Sequence, residues 1–147
     1  MTDPGAPSFL QQIFIPLAGY VHNAWLTEDG NYLMSTEETQ NKTVKLWDIR
    51  DLSNISISDD YLGPNNLAHN AHIKGNHAFI SHYESGLRIV DLSDPNNMNE
   101  VGVYDTKNLW GVFPFLPSGK ILISDIEDGL YVVRFDDPAK ASELSEK

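Results

Sequence analysis

Five histidines and a set of carboxylates carry most of the chemistry open to this 147-residue chain. His22 and His69 each open a His-Asn-Ala tripeptide, so one side chain recurs at one place in two related segments. His82 and Asp125 are a second equivalent pair, each preceded by Ser and 43 residues apart. "STEE" ends a third such segment, where a longer loop leaves the match open between Glu37 and Glu38, with Glu37 standing as the candidate ligand. His22, His69, His82, Glu37 and Asp125 would together form a mixed nitrogen and oxygen set suited to Ca, Zn or Mn. The set has neither HExxH nor EF-hand spacing. The ordinary reading gives each imidazole a hydrogen bond to a neighbouring backbone and gives the carboxylates a solvated rim or loop caps.

Other chemistries lack their residues. With no cysteine there is no thiol nucleophile, thiolate ligand or disulfide. No Ser stands in a GxSxG turn, and no glycine-rich loop opens a helix to hold phosphate. Hydrolysis by a metal-activated water at the His/carboxylate layer is the one catalytic route left, and it leads to the rival reading of a metal-dependent, lactonase-like hydrolase. A non-catalytic binding or scaffold role is the first expectation. Trp110, which replaces the segment-opening histidine, is a candidate binding residue at the channel mouth. Asn23 and Asn70 are further candidates that equally suit backbone groups between segments.

The elements that must position these residues are short, β-branched or aromatic, and bounded by Gly, Asn, Asp and Pro, which is the pattern of strands. "VKLWDIRDL" from Val44, "LRIVDLSDP" from Leu87 and "LYVVRFDDP" from Leu130 fall beneath one another at a spacing of 43. First strands begin at His22, His69 and Gly111. Second strands begin at Tyr32, Ala78 and Ile121 after turns holding Gly30, Gly75 and Gly119, and fourth strands lie in "ISISDDYL" and "EVGVYD". A four-stranded antiparallel unit with this period is a propeller blade, whose first strand lines a central channel. The expected architecture is an all-β propeller segment of about three blades, at 18–66, 67–109 and 110–138. An orphan fourth strand at 11–17 precedes them. Residues 1–10 read as a flexible start and 139–147 as a charged tail. Trp47-Asp48 makes the WD40 repeat the rival, but later blades read Val90-Asp91 and Val133-Arg134 there.

"YVHNAWLTEDGNYLMSTEE", "LAHNAHIKGNHAFISHYESGLRIVDLSDP" and "LWGVFPFLPSGKILISDIEDGLYVV" resemble the LVIVD-repeat propellers, including the choice-of-anchor B group of surface and secreted bacterial proteins. The likeness spans about Gly19 to Phe135. It implies the propeller fold and an extracellular or cell-surface location, and it brings no catalytic motif. Relatives of this kind carry enough blades to close a ring, so the chain looks like the C-terminal part of one.

A formal net charge of −11 favours cations and basic surfaces as partners over nucleic acid. No apolar run is long enough for a membrane span, and the start lacks the pattern of a signal peptide. Three blades cannot close a ring. Either missing blades of a longer chain or self-association of two copies into six blades is therefore expected.

Overall fold

The computed structural model describes residues 5–139, and every strand in it has a counterpart in the repeat. The first unit holds β1 (Val21–Leu26), β2 (Tyr32–Glu37), β3 (Val44–Asp48) and β4 (Ser56–Tyr61). After a single 3-10 turn at Pro64–Asn66, the second holds β5 (Asn70–Lys74), β6 (His77–Ser81), β7 (Leu87–Asp91) and β8 (Asn99–Tyr104). The third holds β9 (Leu109–Phe113), β10 (Lys120–Asp125) and β11 (Gly129–Arg134). Each hairpin between first and second strands turns on a glycine in the left-handed region, Gly30 at φ 70°, Gly75 at φ 56° and Gly119 at φ 73°. A Cβ at any of the three would meet nothing within 4 Å, so backbone conformation and not space selects glycine there.

The strands form three antiparallel meanders, two of four strands and one of three, ordered β1-β2-β3-β4, β5-β6-β7-β8 and β9-β10-β11. The fold is thus an all-β propeller segment of three blades, the last lacking a fourth strand among the described residues. A meander with two apolar faces must bury them against its neighbours, so the core lies between blades. Met34, Val44 and Leu46 of the first blade pack on Ala71, Ile73, Ile80 and Val90 of the second. Phe79, Leu87 and Ile89 pack on Leu109, Val112, Ile121 and Ile123 of the third.

Polar contacts repeat from blade to blade in the same way. Thr36 Oγ1 donates to the carbonyl of His69 at 2.7 Å, and its counterpart Ser81 Oγ donates to the carbonyl of Trp110 at 2.9 Å. Asn23 Oδ1 accepts the Ala71 amide at 3.1 Å. Arg88 stays within its own blade, facing Glu100 at 3.6 Å and Asp105 at 3.4 Å.

One boundary differs from the sequence reading. The first strand of the third blade begins at Leu109, so Trp110 lies within it. It stops at Phe113, before Pro114, which has no N–H to give a ladder. Gln11 to Leu17, expected as an orphan fourth strand, pairs with no strand among the described residues. The expected start at 1–10 and tail at 139–147 lie partly outside the described residues, namely at 1–4 and 140–147. Among the described residues no helix is long and apolar enough to cross a membrane.

Candidate functional site

His22 and His69 converge as blade-opening residues should. Their rings stack with centroids 4.2 Å apart, and Trp110, the third blade-opening residue, lies over His69 at 4.0 Å. His22 Nδ1 donates to the carbonyl of His69 at 3.3 Å, and His69 Nδ1 donates to the carbonyl of Trp110 at 2.6 Å. A carbonyl oxygen can only accept, so these contacts call for a proton on each Nδ1, whereas the Asn70 side-chain amide nitrogen, 2.7 Å from His69 Nδ1, calls for a lone pair there. Where Nδ1 serves the carbonyl, a neutral ring keeps its Nε2 lone pair for a ligand.

The carboxylate that meets the two histidines is Glu38. His22, Glu38 and His69 each offer a ligand atom within 4.8 Å of the others, and His22 Nε2 stands 3.9 Å from Glu38 Oε2. Zinc bonds of about 2.0–2.1 Å would draw such atoms together by roughly 1 Å, a rotamer-scale adjustment. Glu38 is steadied by the Tyr83 hydroxyl, which donates to its Oε1. Burial, and then that carboxylate, push the Tyr83 hydroxyl above its ordinary range and keep it a donor. His69 Nε2 is buried with no hydrogen-bond partner. Burial also lowers the His69 imidazole, favouring the neutral form that a metal needs. His22 and Glu38 are partly open to water, with 27% and 22% of their side chains exposed.

The remaining candidates lie elsewhere. Glu37, 1% exposed, accepts from Lys45 and from the Gly19 amide, the latter at 2.7 Å. His82 is buried with Nδ1 unpartnered, its other nitrogen beside Gly63. Burial brings His82 down to about 4. Asp125 accepts the backbone N–H groups of Asn108, Glu127 and Asp128, so it caps a loop. Burial raises Asp125, but those donors outweigh it and hold it at about 2. Asn23 and Asn70 serve interblade backbone contacts, and Trp110 contributes its carbonyl and its ring.

Sequence reasoning left Glu37 and Glu38 open as the match and missed Tyr83, and Glu38 and Tyr83 stand one residue beyond Glu37 and His82. Their spacing was available, with Ile126 as the third equivalent. Which neighbour faces the axis was not, and bulges in the β1–β2 and β9–β10 ladders leave His22 and Trp110 as the extra residues of their first strands. A cleft of about 930 Å³ opens at the opposite end of the blades between Lys74, His77, Asp91 and Asp137, away from these residues.

The fold and the repeated blade-opening residues define a repeat module of the β-propeller class. Residues 67–106, which contain the second blade, match the family model of the LVIVD repeat, so the chain carries an LVIVD repeat there. Among solved structures, 57 chains match. One is the crystal structure of the computationally designed Ika4 protein, with a TM-score of 0.54 and 8% identity, covering 89% of this chain and 100% of that one. Likeness at that identity concerns the fold alone. No curated protein matches the chain.

Proposed function

We propose that this chain is a non-catalytic binding module of a propeller, holding a divalent cation between His22, Glu38 and His69. The observation that carries the proposal is the His69 ring, with Nδ1 on the Trp110 carbonyl and Nε2 buried and unpartnered. An orphaned buried nitrogen costs about 1–3 kcal/mol, which a ligand removes. Two imidazoles with one carboxylate favour zinc over calcium, whose shell takes six or more oxygens. The net charge of −11 adds a general attraction for cations. A surface or secreted location belongs to the same proposal, on the resemblance to the choice-of-anchor B group.

Elemental analysis of protein purified without chelator, followed by melts in zinc and in EDTA, tests the site. The expected result is a melting temperature raised by zinc in the natural sequence and not in Glu38→Gln. Equal melting in zinc and EDTA would overturn it.

The hydrolase reading keeps one favourable feature. Two His and one Glu leave a fourth position at zinc for water, as catalytic sites require. Zinc-dependent cleavage of an activated ester or lactone, lost in Glu38→Gln, would replace the binding reading.

A further inference from the structure

The third strands expose a mismatch between the ends of the array. Val44, Leu87 and Leu130 occupy one repeat position, and their exposures are 1%, 1% and 69%. Leu46, Ile89 and Val132 occupy another, with 0%, 4% and 59%. The first blade shows the converse on its opposite face. Val21 is 47% exposed where Ala68 is 1%, and Leu26 is 50% exposed where Ile73 is 1%. The two open faces are therefore the two halves of the interface that the inner blades make with each other.

The stretch before the first blade already sits as a fourth strand would. Ser58, on β4, donates to the carbonyl of Pro95 in the next blade at 2.7 Å. Gln11 Nε2 donates to the carbonyl of Leu52 at 3.0 Å, and Leu52 is the counterpart of Pro95 at the 43-residue spacing. Counting on from that equivalence places Phe14 opposite the first residue of a third strand. Tyr61 stands there against Val44, and Tyr104 against Leu87, so an aromatic fills the position each time. Among the described residues Phe14, 80% exposed, has no third strand beside it, and β11 has no fourth strand beside it.

We propose that a second copy of this chain closes the array, the last blade of each copy docking head to tail on the first blade of the other. In this assembly Gln11 to Leu17 of one copy pairs with β11 of the other, Phe14 opposite Leu130. Ser124, the counterpart of Thr36 and Ser81, then donates to the His22 carbonyl across the junction. Propellers close with about four to eight blades, and six is the one multiple of three in that range. Two copies related by a two-fold axis therefore complete the ring and leave no open edge.

The test uses the whole chain. Light scattering at micromolar concentration is expected to return twice the 16.5 kDa chain mass. Leu130→Asp, already exposed in a single copy, is expected to halve that mass while the circular dichroism stays unchanged. Opposed antiparallel residues lie about 4.5–5.5 Å apart at Cα, within disulfide reach. Because the chain has no cysteine of its own, Phe14→Cys with Leu130→Cys is expected to oxidise to a covalent dimer. A monomeric mass for the natural sequence, as for a chain whose neighbouring blades belong to the same polypeptide, would overturn the proposal. So would a dimer indifferent to Leu130→Asp, or a cysteine pair that leaves only single-chain species.

Discussion

His22 rests on His69 twice over, with its Nδ1 on the backbone carbonyl 3.3 Å away and its ring stacked at 4.2 Å on the imidazole. One contact joins two blades and the other aligns two ligand nitrogens. Structural and binding roles thus fall on the same residues, and substitutions must be chosen to separate them.

The two histidines should part company when each is changed to alanine. His22→Ala, at a partly exposed side chain, should melt near the natural protein in EDTA and lose the increment that zinc adds. His69→Ala removes a buried ring and its bond to Trp110, so it should cost about 1–3 kcal/mol in EDTA as well. Melting curves of both variants with and without zinc check the difference.

Stability should fall with acid between about pH 6.5 and 4. Burial brings His82 down to about 4 in the folded chain, against an ordinary 6.5. The unfolded chain then binds the proton first, so this stabilisation is complete above 6.5 and is lost on descending to 4. That gap corresponds to about 3 kcal/mol. His69 and His72, lowered by burial in the same direction, add to the slope. Urea titrations across this range should show a shallower pH dependence for His82→Leu.

The interblade hydroxyls should matter more than their size suggests. Thr36→Val keeps the shape of the side chain but removes the donor to the His69 carbonyl, and Ser81→Ala does the same at Trp110. Each should cost about 1 kcal/mol in chemical denaturation, the ordinary net value of such a bond.

Gly86 and Gly129 begin equivalent turns 43 residues apart, yet only one is hemmed in. A Cβ on Gly86 would lie 2.3 Å from the Tyr104 carbonyl, whereas one on Gly129 meets nothing within 4 Å. Both have positive φ, 71° and 89°, so each alanine variant pays about 1 kcal/mol or more in backbone strain. Gly86→Ala should be much the more destabilising by thermal melt. In the two-copy ring Phe14 of the second copy takes the place of Tyr104, and Gly129→Ala should there also weaken the dimer by light scattering.

The amino-acid sequence determined the blades. Strand-forming runs that return every 43 residues, glycines at each hairpin and apolar third strands fix four-stranded meanders, because each of these signals is local and survives without knowledge of distant contacts. It also brought His22 and His69 to one place, since equivalent residues of successive blades must share an axis. The tertiary structure decided the rest. Glu38, which follows the last residue of β2, is the carboxylate grouped with the histidines, whereas Glu37 is taken up by Lys45 and the Gly19 amide. His82 and Asp125 align with Glu37 in sequence, but one is buried beside Gly63 and the other is taken up by three backbone amides. His69 Nδ1 meets a carbonyl 41 residues away, a partner that only the packing of one blade on the next supplies.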